Sequence, residues 1–333
     1  MSVALRSIVF IAGVGVSLGA GWVLVQRLER VGQRFGFSEA LLGLVAALAA
    51  DAPEITAAVT ALINHDRRIG AGVVLGSNAF NLAALLGLSA LVAGSIVLHR
   101  RVVLMNGAVA AWTAAVCLLA VTGVLSIAAA LALALVVFVP YVVLLAAGTS
   151  RLASLTAFNS SAKWLAQAIG EEEIELEDAI HPPRGVPRDA LVAVTALLVV
   201  VGASIAMEQE ASALGNDWSV APIIVGALVL AAVTSLPNTV AGIYLAARGR
   251  GAATLSTALN SNLLNALAGL LIPATILGLG SPSPQTTLVV SAYAGLTVLA
   301  LATAYVDRGL RRTAGAAIIL AYAVFVALLL AQP

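Results

Sequence analysis

Two carboxylates and a proline, Asp51-Ala52-Pro53-Glu54, stand inside an apolar run that extends from about residue 38 to 63. A second apolar run, about 69 to 98, carries Gly76-Ser77-Asn78-Ala79-Phe80-Asn81. Ionisable side chains at membrane depth are rare and face a cavity or an ion path. A proline there breaks the helix and frees backbone groups that something must satisfy. Asp51 and Glu54 are three residues apart, so on a helix they share a face. Similar residues recur later, as Val233-Thr234-Ser235-Leu236-Pro237-Asn238 and Asn260-Ser261-Asn262-Leu263-Leu264-Asn265. The polar company of the two acids is therefore Ser77, Asn78, Asn81, Thr234, Ser235, Asn238, Ser261, Asn262 and Asn265. Every one offers an oxygen, and hard cations such as Na⁺ and Ca²⁺ take oxygen ligands. Other readings exist for the same residues. Asp-x-x-Glu fits a helix capping box and Ser235-x-x-Asn238 an N-cap region. Asn78 and Asn262 also fit a purely interhelical hydrogen-bonding role.

The elements that must position these groups are membrane helices. The chain has 333 residues, 61% hydrophobic and 10% charged, where a soluble protein carries about 25% charged residues. Stretches of roughly 20 apolar residues cross a bilayer. Ten are found, at about 7–25, 38–63, 69–98, 102–122, 124–148, 189–207, 219–247, 252–278, 285–305 and 311–331. The expectation is an all-α polytopic membrane protein, with the lipid bilayer as its surroundings. A net charge of +1 gives no footing for nucleic acid. Cys117 is the single cysteine, which excludes an intrachain disulfide and a cysteine zinc site. His65, His99 and His181 are scattered near span ends and form no ligand cluster. No histidine or cysteine accompanies the two acids, so a hydrolase is not indicated. No enzyme activity and no cofactor is expected, only transported cations.

Glu54 and Asn238 each follow a proline and lie 184 residues apart. Ser77 and Ser261, Asn78 and Asn262, and Asn81 and Asn265 keep the same offset. Shifted by that offset, each first-half span overlies a second-half span. Arg6 ahead of an apolar run resembles a signal peptide, but that run has a counterpart in the sixth span. The chain reads as two five-span repeats, at 1–148 and 188–333, joined by an acidic linker at 149–187. Five is odd, so the second repeat enters from the opposite side. Inverted repeats of this kind characterise secondary transporters, with a midplane site at the repeat interface.

Basic residues set the expected orientation. With the N-terminus outside, 14 of the 17 Lys and Arg residues fall in cytoplasmic loops, leaving Arg6, Arg67 and Arg68 outside. Both termini are then expected outside a cytoplasmic membrane, and Glu208, Glu210 and Asp217 in an external loop. On this layout only Asp51 and Glu54 are deep. The linker run from Glu171 to Asp178 reads as solvated acidic chain, with calcium sensing as the sharper alternative. Asn159-Ser160-Ser161 matches a glycosylation sequon on the wrong side of the membrane. Gly13, Gly15, Gly19 and Gly21 follow no strand, so they suggest close helix contact rather than a nucleotide loop. Trp22, Trp112 and Trp218 sit near span ends in part, as interfacial anchors would.

At the repeated motifs the chain resembles the sodium/calcium exchanger family of calcium:cation antiporters, in a form without a large regulatory loop. That family carries Gly-Thr-Ser-x-Pro-Glu and then Gly-Ser-Asn-x-x-Asn or -Asp in each repeat. The matching stretches are Ala49–Glu54 with Gly76–Asn81, and Val233–Asn238 with Asn260–Asn265. The resemblance covers nearly all of the chain outside 149–187. It implies an antiporter that exchanges Ca²⁺ for Na⁺ or H⁺ by alternating access. Two departures bear on the ion. Asn238 stands where the family has its second acid, and Ala50 and Asp51 replace the first hydroxyl pair. One carboxylate has left the second repeat and one has appeared in the first. A monovalent cation/proton exchanger, or a non-transporting sensor with this fold, are the alternatives.

Overall fold

The computed structural model describes residues 1–153, 160–177 and 185–332. Asn159, Asp178, His181 and Arg184, which figure in the sequon, acidic-run, histidine and charge readings above, lie outside the described residues. The chain is almost entirely helical. In the first half, α1 (Val3–Phe35) is followed by α2 (Glu39–Ala50), α3 (Ala52–Ile63) and α4 (Arg67–Asn81). A π-helical stretch, Leu82–Leu88, continues α4 into α5 (Ser89–Ala93). Next come β1 (Ser95–Val97), α6 (Arg100–Val121) and α7 (Ile127–Ala153), the last broken at Gly148, whose φ is +61°. The second half runs α9 (Pro187–Asp217), α10 (Pro222–Ile224), a π-helical stretch (Val225–Leu230), α11 (Ala231–Thr234) and α12 (Leu236–Ala247). Then follow α13 (Gly251–Leu264), π-helical Asn265–Leu271, α14 (Ile272–Leu277), α15 (Pro284–Val306), β2 (Gly309–Arg311) and α16 (Arg312–Leu330). Between the halves lies α8 (Ser160–Glu177).

Among the described residues, eight helices are long and apolar enough to cross a membrane, and counting each of two bent pairs as one span brings the number to ten. Each pair, α2 with α3 and α10–α11 with α12, bends by 48°. The breaks fall at Asp51 and Ser235, each two residues before a proline, Pro53 or Pro237, in the first turn of the next helix. Five spans therefore occupy each half, and the two halves repeat the same broken segment.

Burial separates a hub from a periphery. The α4–α5 and α13–α14 segments are 89% and 83% buried over their most apolar stretch, against 22% and 28% in α1 and α9. Apolar side chains left exposed on α1 and α9, such as Ile11, Val16, Val194 and Leu198, are what a lipid-facing helix presents. The hub is tight enough to need glycine. A Cβ on Gly76 would lie 2.4 Å from the Ala227 carbonyl oxygen, so α4 meets the Val225–Leu230 stretch backbone to backbone. At the periphery Gly13 lets α1 approach α9, where an added Cβ would sit 3.2 Å from the Ala203 carbonyl. Gly15, Gly19 and Gly21 face open space, so the close-contact reading holds for Gly13. Ser17 and Ser204 share a hydrogen bond of 2.9 Å across the same seam. Arg6–Asp217 at one end and Arg27–Asp189 at the other, each 2.7 Å, tie the two long helices together.

Three sequence expectations change. The helices α1 and α9 overrun their predicted spans, and in α9 nothing breaks the helix there, since residues 203–214 contain neither Gly nor Pro. Glu208 and Glu210 are consequently helical, not in a loop, and Glu208 is fully buried. The acidic run from 171 to 177 is helical too, as the end of α8, and α8 packs against α2, α6, α7 and α13. Glu172 within it is 0% exposed, so the solvated reading fails at that residue. Asp51 and Glu54 are thus not the only deep acids. Finally, β1 and β2 pair antiparallel, Ile96 opposite Leu310, a small ladder that no periodicity announced.

Candidate cation site

Asp51 and Ser235 occupy the two helix breaks, with φ/ψ of −82°/−5° and −82°/−1°. Neither side chain caps the helix that follows. The capping alternative makes the opposite demand, a side-chain oxygen on an N2 or N3 amide. Instead Asp51 Oδ1 accepts from Asn238 Nδ2 and from Ser261 Oγ, both at 2.7 Å. Glu54 Oε1 accepts from Ser235 Oγ at 2.5 Å, and its Oε2 accepts from Asn265 Nδ2. Both acids are fully buried, and every donor to them comes from the other repeat. The broken helices and the α4 and α13 helices therefore converge on one place.

The amides close this place. Asn81 Nδ2 donates to Ser261 Oγ and Asn262 Oδ1, each at 3.1 Å. Asn78 Nδ2 donates to the Asn262 carbonyl and Asn262 Nδ2 to the Asn78 carbonyl, both at 3.0 Å. This reciprocal clamp joins residues 184 apart and marks the pseudo-twofold axis. Thr234 turns away: its hydroxyl donates to the Leu230 carbonyl of its own helix at 2.8 Å. Ser77 is buried on α4 with no partner for its hydroxyl. π-helical turns begin immediately after Asn81 and at Asn265. Such turns widen the backbone and occur mostly at functional sites.

Hydrogen bonding leaves a residue of oxygens. Asp51 Oδ2, Ser77 Oγ, Asn78 Oδ1, Asn81 Oδ1 and Asn265 Oδ1 are buried and have no partner. Buried acceptors without donors are costly, by about 1–3 kcal/mol each. All five accept, the Ser77 hydroxyl being able to donate as well, and the neighbouring side-chain N–H donors are already committed, which leaves the Tyr293 hydroxyl beside Asn78 as the one other donor. A group of acceptors in want of positive charge suits a dehydrated cation better than a polar organic molecule. The oxygen-only chemistry fits Na⁺ or Ca²⁺. Asn81 and Asn265 each lend one of these oxygens while bracing the opposite repeat. Asn81→Ala and Asn265→Ala are each expected to weaken cation binding about tenfold, roughly 1.4 kcal/mol. A binding isotherm unchanged by both substitutions leaves the amides as interhelical braces.

Sequence reasoning missed a second polar network, on the linker side. Glu172 of α8 accepts from Asn106 Nδ2 at 3.0 Å and from Ser256 Oγ. Asn260 Nδ2 donates to Ser256 Oγ at 3.0 Å. The Tyr141 hydroxyl lies 2.6 Å from Asn106 Oδ1 and 2.8 Å from Asn260 Oδ1. Asn260 replaces the motif glycine, and Gly76, its counterpart, is pinned against Ala227. The repeats are unlike here because one neighbour is backbone and the other a polar ring. The signal was present: Leu165, Ala168 and Ile169 place a helical stripe on the linker, and Glu172 falls on it.

Burial pushes the Glu172 carboxyl above the ordinary carboxylate range, against the bonds from Asn106 and Ser256, and Glu173 and Glu175 push it further up. The docked helix therefore holds a proton more firmly than the undocked one. Docking is strongest below the ordinary glutamate value and weakens as pH rises through the raised value. Trp164 on α8 should report this as an emission change on raising pH, absent in Glu172→Gln. Equal pH responses in both proteins would show that Glu172 does not set the docking.

Comparison with known proteins accords with this geometry. The profile of the family described as "Sodium/calcium exchanger protein" matches residues 6–149 and 190–331. The inner membrane protein YrbG of Escherichia coli (strain K12) is 25% identical over 258 residues, 73% of this chain and 71% of that protein. CaxA of Alkalimonas amylolytica is 27% identical over 88 residues, 26% of this chain, and the match spans only 28% of CaxA. Among solved structures, the sodium-calcium exchanger NCX_Mj soaked with Na⁺ and Sr²⁺ superposes with a TM-score of 0.62 at 18% identity. That alignment covers 98% of this chain and 99% of the other, and at such identity it bears on the fold.

Proposed function

The chain belongs to the sodium/calcium exchanger protein family, a family of membrane transporters rather than enzymes, and on that premise we propose the following reading. The protein is a secondary-active antiporter of inorganic cations, exchanging Ca²⁺ for Na⁺ or H⁺ by alternating access. The observation that carries the reading is the set of unpartnered buried oxygens around Asp51 and Glu54. Glu54, Asp51, Ser77, Asn81 and Asn265 are the ligands. Ser235, Asn238 and Ser261 orient the carboxylates. Asn78 and Asn262 hold the two repeats together. Thr234 contributes packing, with its hydroxyl spent on its own helix.

The two carboxylates carry two negative charges, which one Ca²⁺ or two monovalent cations neutralise. Occupancy by either ion excludes the other, which is the requirement for exchange. The membrane is the cytoplasmic one, with both termini outside, as the distribution of Arg and Lys supports. Asn238 in place of the second acid favours one other reading, a monovalent cation/proton exchanger with weak Ca²⁺ activity. Radiolabelled Ca²⁺ uptake into proteoliposomes separates the two. Uptake driven by an opposed Na⁺ or pH gradient supports the calcium reading and identifies the counter-ion. Absence of Ca²⁺ flux with intact Na⁺/H⁺ exchange supports the other.

A further inference from the structure

Away from the midplane site, the described residues include one fully buried carboxylate with no donor on either oxygen, Glu208 of α9. An anion in that position is unstable unless positive charge joins it. Its surroundings supply more oxygen rather than a base. Asp66 faces it from the turn between α3 and α4, and the Asn64 amide of the same turn is the one donor within reach, though it completes no well-formed hydrogen bond to either oxygen. Ser212 lies one turn along α9 on the same face, and its hydroxyl reaches Asp66 Oδ2 at 3.4 Å. Two of the three arginines of this end have other partners, and the third, Arg68, is exposed and makes no ion pair with the cluster. Arg6 pairs with Asp217 at 2.7 Å, and Arg67 donates to the Leu277 carbonyl at 3.3 Å. Exposure rises outward, from buried Glu208 through half-buried Asp66 and Ser212 to exposed Asn64. The cluster is therefore open to solvent on one side and closed by Glu208 at its base.

Its place along α3 gives it meaning. Glu54 is in the first turn of α3 and Asn64 follows its last, about 15 Å further on at 1.5 Å per residue. One helix thus carries the midplane carboxylate at one end and this cluster at the other. The arrangement is not repeated at the opposite end of the molecule. The positions 184 residues after Asn64 and Asp66 are Arg248 and Arg250. Oxygen donors stand at one end and guanidinium groups at the other.

We propose that Glu208, Asp66, Asn64 and Ser212 form a second cation site, for a hard divalent ion of the calcium class, at the end of the bundle where α1 begins. Two carboxylates, an amide and a hydroxyl match the donors such an ion takes. The site lies in series with the midplane site and loads cation from one side only. Its existence does not depend on which ions the midplane site exchanges.

Equilibrium dialysis of the purified full chain with radiolabelled Ca²⁺ tests this. Wild type should bind two ions, and Glu54→Gln should still bind one. Adding Glu208→Gln to that variant should remove the remaining ion. Asp66→Asn, on another element and half-exposed, should weaken the remaining binding at least about tenfold, which guards against a folding defect at Glu208. Wild type binding one ion that Glu54→Gln abolishes would overturn the proposal and leave the midplane reading intact. Residual binding that survives both Glu208→Gln and Asp66→Asn unchanged would also overturn it, with Glu208 a neutral buried acid. Binding lost with Glu208→Gln but kept in Glu54→Gln would uphold this site and sink the midplane one.

Discussion

Glu54→Gln is expected to abolish exchange while leaving a protein that folds and inserts. The glutamine keeps the length and shape of the side chain, so packing around this 0%-exposed position changes little. What changes is charge and hydrogen-bond polarity. Glu54 accepts from Ser235 at one oxygen and from Asn265 at the other. A glutamine amide can accept from only one of these donors and must set its own NH₂ against the second. It also removes half of the negative charge available to a cation. A loss of at least about a thousandfold in transport, roughly 4 kcal/mol, follows. Uptake in proteoliposomes measures it, with elution profile and melting temperature as controls for folding. Undiminished uptake by a monodisperse, inserted variant would remove the site from this location.

How much of this was legible in the residues varies with the kind of interaction. The broken helices were, because Pro53 and Pro237 interrupt apolar runs and lie at matching positions. The convergence of the repeats was as well, since one offset relates Ser77, Asn78 and Asn81 to Ser261, Asn262 and Asn265. Which amides brace and which offer oxygen was not. That depends on the reciprocal bonds of Asn78 and Asn262 and on the inward turn of Asn265, and residue type alone leaves both roles open. Glu208 was missed for a different reason. Hydropathy marks where a span ends for the bilayer, while helix propensity decides where the helix ends. In α9 the two differ by several residues, and a buried acid lies in the difference.

Asp51 carries the sharpest consequence of the departure from the family pattern. By sequence, the second acid has moved to the wrong repeat. In space the move is small: Asp51 Oδ1 lies 2.7 Å from Asn238 Nδ2, the side chain that replaced the family's acid. The charge has crossed the pseudo-twofold axis by the length of one hydrogen bond. A carboxylate at 238 would reach nearly the same volume, and Ser261, which now accepts from Asn238 and donates to Asp51, would remain its partner by turning its hydroxyl. Asp51→Ser should therefore lower Ca²⁺ affinity by about a hundredfold, roughly 2.7 kcal/mol, since one of two charges is lost. Adding Asn238→Glu should recover at least about tenfold. The pH dependence follows in sign. Protons and cations compete for the same carboxylate oxygens, so Ca²⁺ binding weakens as pH falls. With one carboxylate fewer, Asp51→Ser should show a shallower slope, and the double variant a slope close to that of wild type. Ca²⁺ titrations at several pH values in the three proteins test all of this together. An Asp51→Ser titration that matches wild type would mean that Asp51 only shapes the helix break, and the relocated charge would lose its role.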